Sequence, residues 1–384
     1  MKQIKHFLPI CGAKLLLFFE IYKFFRNKFV NMTIFLYLCT EIKHKHMKKW
    51  LVFALIAFIV SACGGGNDRI LTSATGSIYE CLIVSEAAVQ VPLTETMGAD
   101  MYGLPQMESY FTVAHISPAA FDDMYKGSRN ILMVDVDGHK YTQVKAIQKR
   151  DVWSTPQAYV RIQAPDNESL LAYWSEHGEA IREWFVREEL ARQTRFYRAG
   201  TNKNARTKLN QQGYDMLIPE DFMLIKNEKL QIQNDSIDVL WCCNNKGSMR
   251  KDVIVYSVPY TAQEQFSTES IVAMRNAVLG QLVSAQVEGS HMGTEFKHFP
   301  PMSRSVAALR DTVGGFYAVE TRGLWKMLDG EAMGGPFVSL TRLDQVNGRV
   351  VTAEAFLFAP GQKKRNALRQ IEAILYTLEM PNER

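Results

Sequence analysis

The stretch AYVRIQAPDNESLLAYWSEHGEAIREWFVREELARQTRFY, residues 158–197, changes its hydrophobic period partway through. Ala158–Ala164 is β-branched and aromatic with partial alternation, which predicts a strand. Ala164-Pro165 ends it, because a proline cannot continue the pairing. Asp166 can then cap a long helix running to about Tyr197. Leu170, Leu171, Trp174, Ile181, Trp184, Phe185 and Leu190 give that helix an apolar stripe. Gly178 is expected to bend it.

Upstream, Tyr79–Val84, Tyr110–Ile116, Asn130–Val136 and Tyr141–Ile147 read as strands. Asp137-Gly138 between the last two is a type I′ hairpin signal, since both turn positions need positive φ. Ser117-Pro118 opens a short helix. Downstream, residues 201–213 (TNKNARTKLNQQG) are polar with almost no apolar content, which predicts a linker. Strands follow at Asp221–Lys226, Ile237–Cys243, Val253–Val258, Phe316–Thr321, Phe337–Leu343 and Val350–Phe358. Ser267 can cap a helix over Thr268–Val287, Asn347-Gly348 is a second hairpin turn, and Gly361–Leu378 closes as a helix. Strands in runs without regular alternation with helices argue against a doubly wound sheet. The expected class is α+β, with antiparallel sheets backed by helices. A first lobe is expected at 77–200 and a second at 214–384. Each lobe holds a hairpin, a strand, a proline and a helix in that order. This leaves two readings open: an internal duplication, or a common unit used twice.

The chain has 384 residues, 47% hydrophobic and 22% charged, and a formal charge of +4. Those fractions are globular and exclude disorder, a collagen-like repeat and a polytopic membrane protein. The charge is unevenly spread. Residues 1–62 carry ten Lys and Arg against two Glu, whereas the remainder carries 34 basic and 38 acidic residues. The folded part is therefore net acidic, and no nucleic-acid partner is expected. The excess lies in residues 1–62, whose last part leads into Met47–Cys63. There Lys48 and Lys49 precede the uncharged run Trp50–Val60, which is long enough for a signal peptide and too short to span a bilayer. Val60-Ser61-Ala62-Cys63 follows and resembles a bacterial lipobox. The expectation is a signal at 47–62, lipid attachment at Cys63, and a flexible tether at 63–76 beginning Gly64-Gly65-Gly66. Two or more acyl chains give stable anchoring. Residues 1–46 are interrupted by charges and read as an extension from an upstream start, outside the fold. Position 64 is Gly and not the Asp of an inner-membrane retention signal, and no acidic cluster directly follows Cys63, so the expected place is the outer membrane, on the periplasmic side in preference to the cell surface.

Cys81, Cys242 and Cys243 are read as structural thiols. Asp135-Val136-Asp137-Gly138-His139 offers carboxylates but lacks the other ligands of a calcium loop, so no metal site and no cofactor are expected. His291 and His298, with Glu295 between them, lie in a stretch bounded by Gly289 and Pro301. No nucleophile elbow, P-loop or dinucleotide fingerprint is present, and no catalytic residue is assigned. The most unusual local chemistry is Arg322-Gly323-Leu324-Trp325 followed by Met333-Gly334-Gly335-Pro336-Phe337. Paired glycines before a proline predict a turn that β-carbons would block. Arg322, Trp325, Gly334, Gly335 and Pro336 are the candidate binding surface, set against a plain structural turn with a packed Trp.

Leu104-Pro105-Gln106, Arg129-Asn130-Ile131-Leu132, Trp153 with Pro156-Gln157, Arg322-Gly323-Leu324-Trp325, Met333-Gly334-Gly335-Pro336-Phe337 and Ala359-Pro360 occur in this order. As an ordered set they resemble the Bacteroidetes lipoprotein family known as domain of unknown function 4837, over most of Leu104–Leu378. Met107-Glu108-Ser109 departs from that family's acidic-Pro pair. The resemblance implies an envelope lipoprotein and supplies no activity or catalytic residues. The first expectation is a non-catalytic binding or assembly module with an envelope protein or glycan as partner. The alternative is a hydrolase of envelope glycan or peptide, with Glu295, His291 or His298 facing Arg322 across a pocket.

Overall fold

The computed structural model describes residues 71–104, 106–283, 287–307, 317–330 and 332–380. The 1–46 extension, the 47–62 signal and Cys63 lie outside them. Leu71 onward forms one compact unit. Its first strand, β1 (Thr72–Ser73), pairs in parallel with β6 (Ser154–Thr155), and the Thr75 amide donates to the Gly127 carbonyl at 2.8 Å. The last part of the expected 63–76 tether is therefore held in the fold.

The first sheet has five strands: β2 (Glu80–Val84), β3 (Thr112–Ile116), β4 (Asn130–Val136), β5 (Lys145–Arg150) and β7 (Ala158–Ala164), in the order β3-β2-β4-β7-β5. β2 is parallel to β3 and β4, and β4 is parallel to β7; only β5 runs antiparallel, on β7. This corrects the expectation of antiparallel pairing in this half. The expected Asp137-Gly138 hairpin does not form. Gly138 does not take the positive φ of a I′ turn. The Asp137 amide instead bonds to the Ala164 carbonyl at 2.9 Å, and β7 lies between β4 and β5.

A short helix, α1 (Gln90–Met97), and the long α2 (Asn167–Ala199) cover one face of this sheet. Asp166 caps α2 as the sequence predicts, accepting from the Ser169 amide at 2.7 Å. Gly178 does not interrupt it. A β-carbon there would lie 2.8 Å from the Trp174 ring, so the glycine admits the indole. The other face carries a small cluster with Leu82, Val84 and Ile131, in which Trp153 meets Phe121 and Tyr159 edge-on.

Residues 201–213 connect the two sheets, but as a capped helix in place of the expected linker. α3 (Lys203–Gln211) has Asn202 as its cap, accepting from the Ala205 amide at 3.0 Å, and buries Ala205 and Leu209 one turn apart.

The second sheet has eight strands: β8 (Met223–Ile232), β9 (Asp235–Asn244), β10 (Arg250–Pro259), β11 (His291–Thr294), β12 (Met302–Ala307), β13 (Tyr317–Leu328), β14 (Gly334–Asp344) and β15 (Arg349–Phe358). Their order is β11-β13-β14-β15-β10-β9-β8, with β12 also on β13, and every pairing is antiparallel. Asn347-Gly348 is the β14–β15 turn, with Gly348 at φ +60°. α4 (Thr268–Leu282) packs on one face, capped by Ser267 through the Ser270 amide at 3.2 Å. α5 (Arg365–Leu375) packs on the other and against α2. The class is α+β. The α2–α5 contact makes one apolar core continuous from the first sheet to the second. The two sheets differ in strand direction and order, so they are not two copies of one topology.

Candidate functional site

The candidate surface lies on β13 and β14. β13 continues through Arg322-Gly323-Leu324-Trp325, beyond the strand end expected at Thr321, and the paired glycines expected to form a turn open β14 as strand residues. Arg322 pairs with Met302 on β12 and Val338 on β14, and Trp325 with Gly335. Alternation then sends Glu320 and Arg322 to the α5 side and Gly323 and Trp325 to the α4 side. Arg322 is 1% exposed and Trp325 3%. Arg322 and Trp325 are therefore not open to a partner and do not share a face; of the five candidate residues only Gly334 is exposed. The glycines do allow a close approach. A β-carbon on Gly335 would lie 2.0 Å from the Leu357 carbonyl oxygen, and the Trp325 indole donates to that same carbonyl at 3.1 Å.

On the α5 side the structure assembles a cluster that no motif revealed. Glu320 Oε1 accepts from Arg322 Nε at 2.8 Å and from Arg304 Nε at 3.0 Å, while its Oε2 accepts from the Tyr376 hydroxyl at 2.7 Å. Arg322 Nη2 donates to Glu372 Oε1 at 2.6 Å, and Arg369 Nη1 donates to both Glu372 oxygens at 3.0 Å. Glu320, Arg322, Arg369 and Glu372 are all buried. Burial alone would raise the Glu320 carboxyl. The guanidiniums of Arg322 and Arg304 and the bonds from Arg322 and Tyr376 overturn that and hold it well below the usual range.

The first half of the chain closes over this cluster. The Arg369 guanidinium lies 5.6 Å from the Tyr79 ring and 5.4 Å from the Tyr110 ring, and Arg304 lies 5.1 Å from the Tyr102 ring. Gly103, at φ +70°, passes so near that a β-carbon would fall 2.5 Å from Arg322 Cδ. Glu108 receives the Lys364 and Arg365 amides at the start of α5, at 2.6 and 2.8 Å, which places a carboxylate at the positive end of that helix. Gln106 accepts from Lys364 Nζ at 2.7 Å. The segment beginning at Leu104 is thus a strap across the seam. Its charges meet partners more than 250 positions away in sequence, as the 256 between Glu108 and Lys364 shows.

The other candidates stand apart. Glu295 bonds to Lys326 Nζ at 2.7 Å and accepts the His298 amide at 3.0 Å. Lys326 heads the bonds that lower Glu295, to about 2. His291 Nδ1 sits 3.0 Å from the Gly289 carbonyl. None of the three faces Arg322, whose guanidinium is enclosed by Glu320 and Glu372. Asp135 pairs with Arg161 and accepts from the Tyr141 hydroxyl at 2.7 Å, while Asp137 pairs with Lys140 at 3.0 Å. Among the described residues no group of His, Cys, Asp and Glu is placed to hold a metal ion. Cys81, Cys242 and Cys243 are buried and free, and burial pushes the Cys242 thiol up to about 12. Among the described residues no helix is long and apolar enough to cross a membrane.

Residues 202–377 match the family described as Domain of unknown function (DUF4837), and residues 74–198 match a second, described as Domain of unknown function (DUF8532). The boundary between them falls between the end of α2 and the Asn202 cap of α3. The pieces at 104–157 that resembled the first family lie inside the match to the second. No curated protein matches the chain. The solution structure of cyanobacterial PsbP (CyanoP) from Synechocystis sp. PCC 6803 is similar over 44% of this chain and 88% of its own, at 11% identity. The TM-score of the two is 0.29. The match to DUF4837 spans the end of the α2–α3 connection, the whole second sheet and α5, somewhat under half of the chain.

Proposed function

We propose that this protein is a lipid-anchored cell-envelope protein, held at the outer membrane through Cys63, that serves there as a non-catalytic binding or assembly module on the periplasmic side. The observation that carries the reading is Lys48-Lys49, the apolar run Trp50–Val60 and Val60-Ser61-Ala62-Cys63 in succession. The architecture is in keeping with it. The ionisable groups that the fold gathers, Glu320, Arg322, Arg369 and Glu372, neutralise one another in a closed seam. Such a seam fixes two sheets in one relation, which suits a scaffold that presents its outer surfaces to a partner.

Fractionation of cells expressing the Cys63→Ser variant tests the anchor. The native chain is expected in the outer-membrane fraction and the variant outside it; unchanged fractionation would refute the anchor. Crosslinking in intact cells, followed by detergent extraction, tests the module. A defined envelope protein or glycan is expected on the native chain, and recovery of the chain alone under all conditions would refute that part.

A further inference from the structure

We infer that the C-terminal half of α2 is a membrane-contact face that binds anionic phospholipid headgroups; the inference rests on the lipid-anchor reading. The exposed charges of α2 are segregated along its length. Its first half exposes Glu168, Glu176 and Glu179, and its second half exposes Arg187, Arg195 and Arg198. The three arginines fall at i, i+8 and i+11, within one face of the helix. Among the described residues none of their side chains has a hydrogen-bond or ion-pair partner, whereas the acidic residues of that half, Glu188 and Glu189, are buried and consumed by Arg150, Arg129 and Arg192. The helix dipole accounts only for charges in the first and last turns, which leaves Arg187, Glu176 and Glu179 unexplained. Phe196, 71% exposed, and Lys203 at the start of α3 adjoin the basic end. This stands against a domain that is otherwise net acidic.

The place where the chain enters the domain supplies the second argument. The Thr75 carbonyl accepts the Arg129 amide at 3.1 Å, and the Arg129 carbonyl accepts from Arg192 Nη2 at 3.2 Å. Arg195 follows Arg192 by one turn. Thr72 is nine positions from Cys63, a reach of about 30 Å at full extension. An acylated Cys63 therefore keeps this end of the first sheet close to the bilayer. A tether of that reach lets the basic face come within about a Debye length of the surface, where anionic headgroups attract it. The occupant is thus a bilayer of negative charge.

The test uses the processed, acylated chain with one added thiol, at Ala199→Cys or at Glu168→Cys. The two positions lie about 47 Å apart along one helix. The described native thiols are buried and do not compete for label. Each labelled protein is placed in vesicles of phosphatidylcholine, with or without phosphatidylglycerol, carrying a headgroup-level quencher. Strong quenching is expected at 199 and weak quenching at 168, only with phosphatidylglycerol, and reversed by salt. The ratio of docked to undocked protein should fall about fivefold for each arginine neutralised in Arg187→Gln, Arg195→Gln and Arg198→Gln. Circular dichroism checks that these variants fold, and the salt and lipid arms decide the matter without them. Equal quenching at both positions, or no difference between the two vesicle types, overturns the proposal, as it would if the basic face served an acidic protein. Failure of the anchor reading shows separately, as loss of the chain from phosphatidylcholine vesicles on flotation.

Discussion

Glu320 and Arg322 point to one face of the second sheet, and Gly323 and Trp325 point to the other; different forces hold the two faces. The α5 face joins the first half of the chain through buried ion pairs and stacked tyrosines. The α4 face is an apolar layer of Trp325, Phe337, Phe356, Ile254 and Val278, with one buried pair between Arg275 and Glu354 at 2.9 Å. Ion pairs in a seam fix geometry but tolerate little, because removing one partner strands the other. An apolar layer loses stability in proportion to the atoms removed.

The largest expected effect comes from breaking the seam. Arg322→Ala leaves Glu320 and Glu372 short of a cation and should destabilise by about 3–5 kcal/mol, read as a fall in the urea midpoint. A loss below about 1 kcal/mol would show that water replaces the guanidinium. Acid titration separates the faces next. Glu320 is held below its ordinary value of 4.5, so its contribution is complete above that value and is lost as pH falls through the folded one. Burial outweighs Arg275 and holds Glu354 above 4.5, so the folded state binds that proton first and stability declines as pH rises through that window. Denaturation across pH should find the limb below 4.5 flattened in Glu320→Gln and the limb above it flattened in Glu354→Gln; the reverse assignment would contradict the account. On the apolar face Ile254→Val should cost about 0.5–1.5 kcal/mol and leave both limbs unchanged. The smallest effect belongs to Lys326, whose pair with Glu295 is partly in water. Lys326→Ala should shift stability by less than about 1 kcal/mol, and a larger loss would mean that this pair acts as part of the seam.

The fold was legible where period and punctuation agree. The strand, proline, capping Asp166 and apolar stripe of α2 gave an element within a few residues of the observed one, and the Ser267 cap and Asn347-Gly348 turn also matched. Strand direction in the first sheet was not legible, because the Asp137-Gly138 signal is local and the insertion of β7 beside β4 is not. α3 was missed because its two buried residues, Ala205 and Leu209, are few among polar ones. The seam left no local mark. Glu320 and Arg322 look like exposed charges on a strand until Glu372, 50 positions on, closes over Arg322. The strap residue Glu108 became meaningful only against the start of α5. The glycines at 334 and 335 did signal a close approach, although it occurs within a strand.

The most direct measurement is the intact mass of the protein extracted from its native membrane. The account predicts a chain that begins at Cys63 and carries the mass of two or three acyl groups on that residue. A chain that retains residues 47–62, or one that begins elsewhere without lipid, would contradict it.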